Sequence, residues 1–309
     1  GESSTHEKIE VFINLFFENG ILDDASSDKF DFELTPISQL TDKELAKFLD
    51  QLDQDVKEDF AFKFSSAFIN HGYFFNFKST QEDSTPILIH NIISTNNAQV
   101  SSFNIYNIQK SARVKICEYH QSENDVFANP TNLIYCEQNS NFEHIIVQDY
   151  NIESLYLGTQ HSTVLKDASY NNVCIHTGSL KSRSYITSVL AGENSSTDLH
   201  GLYPITANQH HDSLSKIHHQ APHSFSNQLY KGVFNGESKG VFTGKVLVDQ
   251  DAQLIEAKQL NKNLLLSQKA HAYSRPQLEI YADDVKCAHG STTGQLSEDE
   301  LFYFEARGI

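Results

Sequence analysis

The sequence has no methionine and no tryptophan in 309 residues. A whole protein of that length is expected to contain methionine. With Gly1 at its start, the sequence is therefore expected to be a trimmed or incomplete stretch. Basic side chains are also scarce: 23 Lys and Arg stand against 40 Asp and Glu, for a formal net charge of −17. Such a surface repels phosphate backbones, which argues against a nucleic-acid partner. No apolar run approaches the roughly 20 residues that span a bilayer, so no membrane partner is expected. No secretory signal pattern opens the chain. The four cysteines, Cys117, Cys136, Cys174 and Cys287, form no CxxC pair. A disulfide framework is not expected in so long a chain, and reduced thiols point to a cytoplasmic compartment. The spacing also excludes a zinc ribbon. No GxSxG nucleophile elbow occurs, and "GVFNGESKG" is not a phosphate loop.

What is present divides the chain by period. Residues 1–75 read as a helical region. "THEKIEVFINLFFENG" carries Ile9, Phe12, Ile13, Phe16 and Phe17 at helical spacing, with Gly20 as a stop. "LTDKELAKFLDQL" opens on a capping box, Thr41 with Glu44. "DFAFKFSSAFINHG" places Phe60, Phe64 and Phe68 four apart. Residues 76–285 read as a β core. Short runs such as "PILIHNI", "ARVKICEY" and "FEHIIVQDY" recur about every 8–12 residues, the spacing of a sandwich, barrel or solenoid. Alternation puts Val114 and Ile116 on one face, Arg113 and Lys115 on the other. Three features favour a solenoid. The run is long for one sandwich. Within it, the Asn-Gly hairpin signal occurs only at Asn235-Gly236. Asn and Ser fill the gaps, as the corners of stacked coils require. Residues 286–309 read as a C-terminal motif and the start of a helix, with Ser297 and Glu300 as a capping box. That segment is expected to be truncated.

Several candidate sites compete. His200, His210, His211, His218, His219 and His223 suggest a metal cluster, since imidazole is a common transition-metal ligand. The alternative is polar edge and turn residues, because adjacent histidines on a strand face opposite ways. Asp283 and Asp284 are the candidate pair for glycoside chemistry, although neighbouring strand residues diverge. In "EIYADDVKCAHGSTTGQL", Cys287 and His289 sit at i and i+2, side by side on one face of a strand. They make half of a soft metal site, because zinc and iron–sulfur sites usually take four ligands. The pair is therefore either structural or completed by another chain.

The order "SNQLYKGVFNGESKGVFTGKVLV", "NLLLS", "PQLEIYADDVKCAHGSTTGQL" and "LFYFEARGI" closely resembles the SufB/SufD family, scaffolds of the SUF iron–sulfur cluster assembly system. The likeness is strong from about residue 186 onward. It implies a mainly β fold, a right-handed parallel β-helix with an N-terminal helical region and a short C-terminal helix. It implies a non-enzymatic role beside a SufB-type paralogue and a SufC-type ABC ATPase; an exposed β edge at the C-terminal surface adds homodimerisation as a further option. The B-type motif "RCGAHTFPY" becomes "KAHAYSRPQ", which puts Ala270 at its cysteine, and "EHEATT" becomes "AHGSTT", with Gly290 at its second acid. The D-type motif "DDVKCSHGAT" is met in the run ending at Thr292, with Ala288 and Ser291 departing. The resemblance is thus to the D type. It implies that His289, with Cys287 beside it, contributes to a transient cluster shared across a subunit interface, with no cofactor held tightly by the chain alone. The family usually continues past "RGI" into a helical segment that docks the ATPase, so docking is expected to be weak here. The alternative function is a β-helix polysaccharide lyase or hydrolase.

Overall fold

The computed structural model describes residues 8–78, 85–295 and 298–308. In chain order the N-terminal part runs β1 (Ile13–Glu18), β2 (Ile21–Leu22), β3 (Glu33–Pro36), α1 (Asp42–Leu49), α2 (Gln54–Glu58), α3 (Phe60–Ala67) and β4 (Tyr73–Phe77). The coils begin with β5 (Ile87–Ile93), β6 (Ala98–Val100), β7 (Phe103–Ile108), β8 (Arg113–Ser122), β9 (Val126–Ala128), β10 (Thr131–Cys136) and β11 (Asn141–Asp149). They continue with β12 (Leu155–Val164), β13 (Ser169–His176), β14 (Lys181–Leu190), β15 (Ser196–Ile205) and β16 (His210–His219). The last are β17 (Phe225–Phe234), β18 (Lys239–Val248), β19 (Ile255–Leu265), β20 (His271–Ile280) and β21 (Val285–Gln295), followed by α4 (Glu298–Glu305).

From β10 onward, successive strands fall alternately into two sheets. One has the order β2-β1-β5-β8-β11-β13-β15-β17-β19-β21, the other β20-β18-β16-β14-β12-β10-β7-β4-β3. Pairing along both is parallel, apart from the antiparallel pairs β1–β2 and β3–β4 near the N-terminus. The result is a parallel β-solenoid of about seven turns.

Alternation puts one face of each strand inside. In β18 the buried set is Gly240, Phe242, Gly244, Val246 and Val248. Because the coils stack in register, inward residues form rows along the axis. One row reads Val114, Phe142, Tyr170, Thr197, Ser226, Ala257, Cys287. The next, two residues on, reads Ile116, His144, Asn172, Leu199, Gln228, Gln259, His289.

One corner of each coil is built on a left-handed residue: Ser111, Asn139, Asp167, Asn194, His223 and Leu254 have φ between 57° and 62°. Each of these N–H groups donates to a carbonyl one coil further along, for example Asn139 to Lys166 and His223 to Gln253. Asn, Asp and His tolerate this conformation better than most residues. The corners recur every 27 to 31 residues, which is the repeat length of the solenoid.

Helices α1 to α3 lie on the outside of the second sheet. Phe48, Leu52, Val56 and Phe62 pack there on Phe74, Phe103, Leu133 and Tyr185. The Thr41–Glu44 capping box forms as expected. The first expected helix does not. Residues 13–18 are a strand in parallel register with β5. Asn19 and Gly20 have φ of 51° and 86° and make a two-residue hairpin into β2. Asn-Gly is the strongest short hairpin signal, and tertiary pairing overrides the helical spacing of Ile9 to Phe17. Phe30 and Phe32 pack against the main core at this N-terminal end. At the other end the β core runs to Gln295 rather than residue 285, so the C-terminal motif is the last strand of the last coil. Ser297 of the expected capping box lies outside the described residues, while helix α4 is present.

Candidate functional site at the open end

Strands β20 and β21 close the two sheets, and each has a strand neighbour on one side only. Their burial is correspondingly low: no residue of either strand is fully buried, whereas β18 and β19 alternate cleanly. Among the described residues no strand pairs with the outer edge of this last coil.

Cys287 and His289 are on this coil. Register places Cys287 over Ala257 and His289 over Gln259, both of which are buried inward residues. The two side chains thus share the inner face of β21 and crown two inward rows. Cys287 packs against the cluster of Val246, Val248, Ile255 and Ala257. Partial burial raises its thiol pKa, which disfavours the thiolate in this chain alone. His289 is exposed, with no described strand stacked above it. Beneath it, Gln259 donates through Nε2 to Gln228 Oε1 at 2.6 Å. Gln259 Oε1 has no hydrogen-bond partner among the described residues, which leaves an acceptor under the imidazole.

No group of three or more His, Cys, Asp or Glu among the described residues is placed to hold a metal ion. Chemically, the pair can donate one sulfur and one nitrogen to a soft metal, and two donors are too few for a stable site. Ala270, at the position of the B-type cysteine, is a buried methyl just before β20. It sits across the width of the coil from Cys287, about 30 Å away by strand length.

Asp283 and Asp284 are exposed and occupy the final corner. Asp284 O accepts from Leu254 N–H at 2.6 Å, and Asp284 N–H donates to Gln253 Oε1 at 2.9 Å. The corner ladder uses only the backbone of Asp284, and both carboxylates stay at the surface.

The histidines do not converge. His211 and His219 are buried, and burial pushes each imidazole down to about 4. His219 is held between Ser224 Oγ and Ser226 Oγ at 2.7 and 2.8 Å. Their sequence neighbours His210 and His218 face outward. Burial works against the charge on His218, but Asp53 and Asp249 outweigh it and raise its pKa. His200 lies beside Asn227 at 3.3 Å, and His223 is a corner residue.

Sequence reasoning missed a buried polar cluster. Glu118 is fully buried and accepts from Tyr106 OH at 2.8 Å and Asn132 Nδ2 at 3.0 Å. His120 and His144 meet the same carboxylate through Nε2 at 2.9 and 2.7 Å. Burial raises the Glu118 pKa, but these two imidazoles more than offset it and hold the carboxylate ionised. The signal was in the alternation. Extending the inward set Val114 and Ile116 by two and four residues reaches Glu118 and His120.

The fold defines a parallel β-solenoid, with a thiol and an imidazole side by side on its last described coil. The family model described as "SUF system FeS cluster assembly, SufBD core domain" matches residues 91–309. The chain belongs to the SufB/SufD family. It is 35% identical over 233 residues to an iron–sulfur cluster assembly SufBD family protein of Synechocystis sp., covering 74% of this chain and 51% of that protein. It is 30% identical over 204 residues to the iron–sulfur cluster assembly protein SufD of Escherichia coli, covering 65% and 48%. A chloroplastic protein of Arabidopsis thaliana is 33% identical over 184 residues, covering 59% and 39%. The chain spans about half the length of the first two of these relatives. The family match starts at residue 91, well before residue 186, and so takes in nearly all the coils.

Proposed function

We propose that this chain is a SufD-type, non-catalytic scaffold subunit for iron–sulfur cluster assembly. It works in the cytosol with a SufB-type paralogue and a SufC-type ATPase. One observation carries the reading: Cys287 and His289 share the inner face of β21, which among the described residues pairs with a strand on one side only. The cluster is cargo, and it takes its remaining ligands from a partner across that interface. An unpaired strand edge invites pairing with another chain, so a SufB-type subunit or a second copy docks there. The lyase or hydrolase alternative is disfavoured, because its candidate acids Asp283 and Asp284 are exposed sequence neighbours at a corner.

The test is co-purification of the full-length protein with B-type and ATPase partners, followed by cluster reconstitution. His289→Ala is expected to lower the cluster yield of the complete complex by at least about tenfold, the scale of a lost metal contact. Unchanged yield removes His289 from the mechanism. The isolated chain is expected to hold well under one iron per molecule, and stable stoichiometric iron on it contradicts the shared site.

A further inference from the structure

The chain is acidic overall, yet one corner of the solenoid is basic. Lys181, His210, Lys239 and His271 begin four successive strands of the second sheet and stand in one register column. All four are exposed. Adjacent rungs are about 4.8 Å apart, so the column is a ladder of cationic and titratable groups about 14 Å long. It lines a groove of about 670 Å³, with Asn208, Gln268 and Lys269 on its walls. Glu237 also lines the groove and is committed to Lys269, Nζ to Oε1 at 2.6 Å. Arg183 and Asp212 sit opposite each other one outward position further along the same strands, and Arg183 is paired with Asp59 at 2.9 Å.

Like charges on neighbouring rungs repel, and sheets ordinarily avoid them. Some outward rungs pair opposite charges, with Lys115 facing Glu143, Lys166 facing Glu193 and Lys245 reaching Glu279 at 3.4, 2.9 and 3.0 Å, while Lys231 stands beside Lys262. In the ladder Lys181 and Lys239 are separated by the rung of His210 and form no ion pair among the described residues, which leaves both for an anionic ligand.

The same column continues in the other direction as Leu155 and then Phe127. Leu155 is 43% exposed. Phe64 of α3 lies against Phe127, ring centroids 5.4 Å apart, and is flanked by the rings of Phe60 and Phe68. Phe60 and Phe68 are 64% and 53% exposed. One strip therefore runs from an apolar, aromatic end to a basic end. From Phe127 to His271 it spans five rungs, about 24 Å, the length of a helix of about 16 residues. A helix with one acid per turn repeats every 5.4 Å, close to the rung spacing, whereas same-face residues of an extended strand repeat at about 6.7 Å.

We propose that this strip docks an acidic amphipathic helix of a partner protein. Its apolar end covers Leu155, Phe127 and the α3 rings, and its acidic turns lie along the ladder. A polyanionic surface such as nucleic acid is disfavoured by the net charge of −17, while a single acidic stripe meets only the basic column. The proposal is independent of the role of His289.

The probe is a fluorescein-labelled helical peptide of 16 residues with a glutamate on every turn and a Leu-Phe pair at one end, followed by fluorescence anisotropy. Saturable, salt-sensitive binding is expected. Lys181→Glu with Lys239→Glu should weaken it at least tenfold, and Lys181→Gln with Lys239→Gln by less, with circular dichroism unchanged. Leu155→Ser should weaken it severalfold, but should not affect a peptide whose Leu-Phe pair is replaced by serines. The proposal is overturned by the absence of saturable binding, by charge-reversal variants that bind equally well, or by equal affinity for the two peptides. It is also overturned if tripolyphosphate or anionic phosphatidylserine vesicles bind the groove as tightly with the same dependence on Lys181 and Lys239. Self-association abolished by the charge reversal assigns the groove to a second copy and overturns it as well.

Discussion

Lowering the pH from 7 to 5 should remove a large part of the folding free energy, because the solenoid buries neutral imidazoles. Burial pushes His161, His211 and His219 down to about 4 and His176 down to about 3. In the unfolded chain each returns to about 6.5. A folded pKa below the unfolded value gives stability that is present above the unfolded pKa. That stability is lost as pH falls through the window between about 6.5 and 4. At pH 5 each such group has lost about 2 kcal/mol, and the four together about 8 kcal/mol, against a typical total of about 5–15 kcal/mol. His218 acts in the opposite sense. Its raised pKa contributes stability below the unfolded value, so it offsets part of the loss. Glu118 enters later. Its depressed pKa keeps its contribution intact until pH falls below the ordinary carboxylate value. The assay is urea unfolding followed by far-UV circular dichroism at pH 7.5 and pH 5. The double variant His211→Gln, His219→Gln should remove about half of the difference between the two pH values. Equal stability at both, or the same slope in the double variant, refutes the reasoning.

Other outcomes follow from the same structure. Glu118→Gln keeps the shape but strips the charge facing His120 and His144, and should cost about 3 kcal/mol in urea unfolding. An unchanged midpoint would mean that the cluster is not held as an ion pair. Leu254→Asn should stabilise the protein by about 1 kcal/mol, because Leu254 is an exposed residue at φ 58° where Asn is better tolerated. A lower melting temperature in that variant contradicts the corner assignment.

Much of this architecture is legible in the sequence, and the failures have physical causes. The β runs and their polar gaps announce a solenoid, but no repeat shows. The corner fixes a backbone conformation rather than a residue type, and Ser, Asn, Asp, His and Leu all occupy it. Cys287 and His289 are legible as a pair through strand alternation. Their place at the edge of the described sheet is not, since it depends on how the coils stack. Asn19-Gly20 was a hairpin signal inside a segment with helical spacing, and only pairing with β5 decides between them. Glu118 stayed hidden because a carboxylate inside a core runs against expectation until its imidazole partners, one of them 26 residues away, are in view.

The edge position of β21 has a kinetic meaning as well as a geometric one. A strand with one neighbour has half the ladder hydrogen bonds of an interior strand, and β21 buries little apolar surface. Local opening costs least in such places, so backbone amides around Cys287 and His289 should exchange with solvent well before those of β13 or β17. The thiol and imidazole are thus mounted on the described coil with the thinnest ladder bonding, and any partner that adds a strand there stills it.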